Sequence, residues 1–236
     1  EAVPASPPAA NTPAPAAPLD QGRIHTTAGR HTEALAAFAQ ALADAGDDAA
    51  PEIHRYLARS HLALGRYDTA QTHVETALAT DAENAELYDI LGAIHMARAF
   101  AQAHYRDTDA ALAAFERATA LDPDRAHSHY NLGLVYAYRD SAARAEAAYL
   151  RALAADSTLA PAHKKLGLAA RKKGESDQAI VHLAQAVKYA PEDAEAHFHL
   201  GLLHRSRGAF AAAAASFERA AEFNPHSPQV HSNLAG

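Results

Sequence analysis

The chain has 236 residues, a formal net charge of −7 and a pI near 6.1. Apolar residues make up 49% of it and aromatic residues only 7%, and it has neither cysteine nor tryptophan. This composition excludes disulfides, thiol catalysis and zinc sites built on cysteine. The negative charge argues against a nucleic-acid binder that neutralises phosphates, and no apolar run is long enough to span a membrane.

The N-terminal segment, residues 1–18, is rich in proline and alanine and carries six of the twelve prolines. This composition predicts an extended arm or linker without a core of its own. The chain begins at Glu1 and not at methionine, which we interpret as the start of a processed or excised chain. A mature exported protein whose signal was removed is one explanation, and a periplasmic or secreted location is favoured over a cytoplasmic one.

From Leu19 onward one unit recurs, and its clearest copy runs from His197 to Pro225. Gly201 follows Leu200, and the next apolar positions come at Ala213, Phe217 and Ala220. Small and large apolar residues at these intervals suit two antiparallel helices that cross closely. Glycine permits the close approach at Gly201 and the turn at Gly208, and Pro225 ends the second helix.

Six complete units and a partial seventh follow from this spacing. They cover residues 19–50, 51–84, 85–125, 126–159, 160–193, 194–227 and 228–236. In the third unit, 19 residues separate Gly92 from Ala111, where the clearest copy needs 12, so seven residues are inserted. Because seven residues are about two helical turns, we expect the insertion to lengthen one or both helices of that repeat and to protrude.

These offsets resemble the tetratricopeptide repeat, a pattern of Leu-Gly, Ala, Phe and Pro with two aromatic positions over about 34 residues. The resemblance covers residues 19–236. It implies an all-α fold, a right-handed α-solenoid of stacked helix-turn-helix repeats. Where the family has its aromatic residues, this chain often has histidine: at the first ring position His54, His129, His163, His197 and His231, and at the second His25, His61, His95 and His204.

In this family the first helices of successive repeats line a concave groove, which implies a partner-binding surface here. Its aromatic and basic members can take apolar side chains and carboxylates of an extended peptide. We name Tyr130, Asn131, Tyr138, Lys164, Lys165, Arg171, Lys172, Phe198, His199 and Arg205 as partner-binding residues. The mapping also places Glu52, Arg55, Tyr56, Arg59, Glu86, Asp89 and Ile90 in the groove.

Sixteen histidines raise the question of a metal site. The pairs His127/His129 and His197/His199 are two residues apart and diverge on a helix, and there is no HExxH motif. We therefore assign the histidines at the ring positions to packing, with each ring N–H bonded to a carbonyl. No cofactor or metal is expected, and a histidine-rich metal-binding protein remains a third alternative.

No catalytic motif is present: the chain lacks a phosphate loop, a nucleophile elbow and a thiol. Acidic pairs such as Asp47-Asp48 and Glu192-Asp193 are interpreted as loop and helix-start charges. The leading hypothesis is a non-catalytic scaffold that binds a peptide or protein, with acidic segments favoured. The alternative is a self-assembling protein that forms head-to-tail oligomers or filaments through the N-terminal arm and the C-terminal half-repeat, at Pro228, His231 and Leu234.

Overall fold

The computed structural model of the protein describes residues 17–46, 50–102 and 107–234. Most of the N-terminal arm (residues 1–16), Asp47-Asp48 and part of the insertion (residues 103–106) lie outside the described residues. The described residues form thirteen α-helices and no β-strand. The helices are α1 Pro18–Thr27, α2 His31–Asp44, α3 Ala50–Ala63, α4 Tyr67–Thr80, α5 Ala85–Gln102, α6 Asp107–Leu121, α7 Ala126–Tyr138, α8 Ala142–Ala155, α9 Ala160–Lys173, α10 Ser176–Tyr189, α11 Ala194–Ser206, α12 Phe210–Phe223 and α13 Pro228–Leu234.

The chain divides into two compact units, one ending at Ala82 and the other starting at Glu83. In the first unit α1 packs on α2 and α3 on α4, and α2 joins the two pairs. Its core forms around Phe38, with Ala34, Ile53 and Leu57 packed nearby. The division into an arm and repeats that the sequence suggests stays a prediction.

In the second unit each odd-numbered helix from α5 to α11 packs on the helix that follows it, and α13 packs on α12. Small buried clusters fill the spaces between these helices, one around Phe115 and another around Leu183. The largest fully buried side chains include Phe115, Phe217 and Ile94. None of the described helices is both long and apolar enough to cross a membrane.

The insertion lengthens a helix, as predicted. Helix α5 has 18 residues, whereas α7, α9 and α11 have 13 or 14. The additional turn carries Phe100 beyond the length that the other first helices reach, and this ring is 62% exposed.

In five of the six complete repeats, a glycine of the first helix faces a large side chain of the second helix, which confirms the predicted close approach. A Cβ added to Gly201 would lie 2.5 Å from the nearest carbon of Phe217, and the same holds at 2.6 Å for Gly92 and Phe115. Atoms cannot approach so closely, so these helices touch only because the glycine side chain is missing. In the second repeat Ala58 occupies the position of the glycine and the smaller Val74 the position of the large side chain, and both are fully buried.

The turn between the helices of a repeat adopts a left-handed backbone conformation. Gly65, Gly174 and Gly208 have φ values of 70°, 83° and 73°. In the fourth repeat the corresponding residue is Asp140, with φ 57°, a conformation that costs free energy in residues with a Cβ.

We expect Asp140→Gly to stabilise the second unit by about 0.5–1 kcal/mol, because glycine adopts this conformation without the clash of a Cβ. The midpoint of urea unfolding measures the effect. The reverse change at the same turn of the fifth repeat, Gly174→Asp, serves as the control and should be destabilising. A lower midpoint for Asp140→Gly would contradict the argument.

Candidate binding surface

Lys164, one of the predicted binding residues, is engaged within the protein. Its Nζ lies 2.8 Å from a carboxylate oxygen of Asp193 and 2.9 Å from one of Glu195, at the start of α11. Partial burial acts to lower the pKa of Lys164, but the bonds to these two carboxylates raise it overall. Tyr130 lies near this group, and burial raises the pKa of its hydroxyl. Lys164 therefore joins successive repeats as well as lining the surface.

Three other cations of α9, Lys165, Arg171 and Lys172, make no hydrogen bond or ion pair with any described residue. Lys173, beside them, differs because its Nζ is 2.6 Å from Glu146. Arg171 and Lys172 lie in the last turn of α9, where the helix dipole favours cations. With Lys165, they keep their charge available to a ligand. Lys165 and Lys172 line a 180 Å³ cleft whose other wall includes Ala137, Asp140 and Glu146.

An exposed aromatic pair joins the ends of α5 and α7. Phe100 of α5 and Tyr138 of α7 meet edge to face, with ring centroids 4.8 Å apart. Both rings are unusually exposed, 62% for Phe100 and 38% for Tyr138. Tyr138 follows Ala137, which lines the cleft with Lys165 and Lys172. Tyr138 was predicted as a site residue, whereas Phe100 was missed because the insertion moves it out of the regular spacing.

A second cleft, of 230 Å³, lies between α11 and α13. Phe198 and His199 line it on one side and Gln229 and Val230 on the other. The Phe198 ring packs 5.9 Å from that of Phe217 and 5.4 Å from that of His199. Burial lowers the pKa of His199, the nearby Arg171 lowers it further, and Glu195 opposes both. Phe198 and His199 thus share one surface, and their role in partner binding stays a prediction.

The remaining predicted residues are spread over α7, α11 and α13. Asn131 is half-buried on α7, and Arg205 of α11 bonds the side-chain oxygen of Asn233. In α13, which starts at Pro228, Leu234 is 38% exposed and Val230 is buried. Self-assembly through Pro228, His231 and Leu234 stays a prediction.

Asp89 and Ile90 do not offer their side chains to a partner, contrary to the mapping, because they are only 8% and 6% exposed. An Asp89 carboxylate oxygen accepts hydrogen bonds from Ser128 Oγ at 2.8 Å and from the guanidinium of Arg125. Burial raises the pKa of this carboxyl group, and the Arg125 and Ser128 bonds oppose the rise. Asp89 is therefore a structural residue between α5 and α7.

Four of the five histidines at the first ring position bond backbone carbonyls, as predicted. At the second ring position the prediction fails for His25 and His61, whose Nδ1 atoms are buried without a hydrogen-bond partner among the described residues. The Nε2 atoms of His129 and His197 each lie 2.9 Å from the carbonyl oxygen of the proline six residues earlier, and His231 does the same at 2.7 Å. His163 bonds Ser157 in the same way at 3.1 Å. The residue six before His54 is Asp48, outside the described residues. Among the residues that the structure describes, no group of three or more His, Asp or Glu side chains is arranged to hold a metal ion.

Three stretches of the chain match sequence models described as tetratricopeptide repeats: residues 25–94, 107–138 and 164–228. The chain belongs to the tetratricopeptide repeat family. Members of this family are generally non-catalytic scaffolds that bind protein or peptide partners. No curated protein matches the sequence.

Solved structures of tetratricopeptide repeat proteins resemble this one over most of its length. TTC0263, a thermophilic protein of Thermus thermophilus, is 27% identical with a TM-score of 0.67, covering 79% of this chain and 96% of its own. PilF of Pseudomonas aeruginosa is 19% identical with a TM-score of 0.75, covering 93% and 96%. YrrB, described as having an unusual peptide-binding site, is 17% identical with a TM-score of 0.57, covering 84% and 98%. The tetratricopeptide repeats of this chain form an all-α helical repeat solenoid.

Proposed function

We propose that this protein is a non-catalytic scaffold that binds an acidic peptide or protein segment along the first helices of its second unit. One observation carries the proposal. Lys165, Arg171 and Lys172 have no ion-pair partner within the described residues. Lys165 and Lys172 line one cleft with Ala137, and the next residue in the chain, Tyr138, has an exposed ring. Most other cations of this unit are paired, as Arg125 is with Asp89 and Lys173 with Glu146.

The chemistry of this surface defines the segment that it fits. Exposed aromatic rings bury apolar side chains, and unpaired cations attract carboxylates over a range set by the ionic strength. A segment with both acidic and apolar residues satisfies both requirements. The exported location expected from the sequence remains a proposal alongside this function.

The direct test uses a fluorescein-labelled twelve-residue peptide of glutamate and phenylalanine, followed by fluorescence anisotropy. We expect the triple variant Lys165→Glu, Arg171→Glu, Lys172→Glu to weaken binding at least tenfold, because three attractive charges become repulsive. Lys164 is left unchanged, since its reversal would also break the bonds to Asp193 and Glu195.

The matched control reverses three exposed cations on the second helices of the same unit, Arg117, Arg151 and Lys188. It makes the same change in net charge and should leave the affinity within about twofold, because these cations lie outside the proposed surface. A peptide with lysine in place of glutamate should not bind. Equal binding by the triple variant and the wild type would remove this surface from consideration.

A further inference from the structure

Two histidine pairs occupy the same place in two different repeats. His54 and His73 are 19 residues apart in the second repeat, and His163 and His182 are 19 apart in the fifth. In each pair the first histidine lies on the first helix and the second on the following helix. The two Nδ1 atoms face each other at 2.9 Å in the second repeat and at 3.2 Å in the fifth.

The ring of His163 is oriented by its backbone contact. Its Nε2 donates to the Ser157 carbonyl at 3.1 Å, because a carbonyl oxygen can only accept. Its Nδ1 therefore presents a lone pair to His182, which donates from its own Nδ1. Proteins commonly fix a metal-binding imidazole in this way, with one ring nitrogen bonded to a carbonyl and the other left free for the ion.

Burial disfavours the charged form of three of these four rings, those of His54, His73 and His182. Burial lowers the pKa of His54 and His182, and burial together with His54 and His61 lowers that of His73 to about 4. In the fifth repeat the Glu146 carboxylate opposes the lowering of the His182 pKa.

We infer that each pair, His54/His73 and His163/His182, is a two-histidine site for a divalent transition ion of the Zn²⁺ class. Nitrogen ligands about 2.0–2.1 Å from a tetrahedral ion are about 3.3 Å apart, close to the separations seen here. The histidine that now donates from Nδ1 would carry its proton on Nε2 instead, so binding releases no proton. Water would complete the coordination. This inference is independent of the proposed peptide binding.

Binding at these sites would tie the two helices of a repeat together. Each ion would have one ligand on α3 or α9 and the other on α4 or α10. With only two protein ligands, the affinity would be lower than that of a structural zinc site with four. Imidazole suits Zn²⁺, Ni²⁺ and Cu²⁺ but not Mg²⁺, which prefers oxygen.

Isothermal titration calorimetry of the full chain with Zn²⁺ at pH 7.5 tests the inference. We expect two ions per chain in the wild type, one in His73→Ala, one in His182→Ala and none in the double variant. Alanine already occupies this place in three other repeats, as Ala37, Ala114 and Ala148, so we expect the variants to retain the fold. His127→Ala, which removes an exposed histidine, should still bind two.

A second measurement shows whether the ion contacts the rings directly. Imidazole ¹⁵N NMR should show the Nδ1 signals of all four histidines shifting with Zn²⁺ and remaining unchanged with Mg²⁺. Zinc binding that persists in the double variant, or no binding to the wild type, would overturn the inference. If only one single variant lost an ion, the site in the other repeat would be rejected.

Discussion

Gly201→Ala is expected to destabilise the second unit by about 1–3 kcal/mol, the range found for overpacked cores. An alanine Cβ would lie 2.5 to 2.9 Å from three carbons of the Phe217 ring, which is itself only 1% exposed and has no free space to move into. The better helix propensity of alanine, about 1 kcal/mol, offsets only part of this cost. Urea unfolding followed by circular dichroism measures the change.

The second repeat shows which second substitution should compensate for Gly201→Ala. There Ala58 faces Val74, and both are fully buried. Phe217→Val alone should leave a cavity and cost about 2–3 kcal/mol, but in the presence of Gly201→Ala it relieves the clash. The double variant should therefore lose less unfolding free energy than the sum of the two single losses, by at least about 1 kcal/mol.

Gly46→Ala is the control, because no atom lies within 4 Å of the Cβ that it adds. It should cause no loss of stability. If the losses of stability from Gly201→Ala and Phe217→Val simply add in the double variant, the glycine has a role other than making room for the ring.

Acid is expected to destabilise the second repeat through its histidines. The pKa of His73 is about 4 in the folded protein, against an ordinary value of 6.5 for a histidine in an unfolded chain. The folded state therefore binds fewer protons, so stability is complete above pH 6.5 and falls as the pH drops from 6.5 towards 4. For a partly exposed ring we expect His73 to contribute about 1–2 kcal/mol of this loss by pH 5.

The measurement compares the free energy of unfolding at pH 7.5 and pH 5 with EDTA present. His73→Ala should lose about 1–2 kcal/mol less than the wild type over this interval, because the group that titrates is gone. His127→Ala should lose as much as the wild type, since its ring is exposed. An equal loss in His73→Ala and wild type would show that other groups control the acid sensitivity.

The regular spacing of the sequence was enough to predict the helical repeats and their closest contacts. Gly201 and Phe217 occupy family positions, so their contact follows from the offsets alone. The carbonyl bonds of His129 and His197 were also predicted, because a buried ring N–H needs an acceptor. These features depend on residues close together in the chain.

Other contacts could not be read from the pattern, for physical reasons. His73 and His182 stand at a place that the family pattern leaves open, so only a comparison between repeats shows their pairing with His54 and His163. Phe100 meets Tyr138 because of an insertion whose direction the sequence does not specify. The bonds of Lys164 to Asp193 and Glu195 depend on how one repeat stacks on the next.

The histidine-to-carbonyl bond also has a consequence for how the chain folds. It joins residues only six apart, and the bonds between the paired histidines join residues 19 apart. Even the bond from Ser128 to Asp89 closes a segment of just 39 residues. Folding can therefore start within any repeat and spread to its neighbours by short loop closures, and low contact order of this kind goes with fast folding.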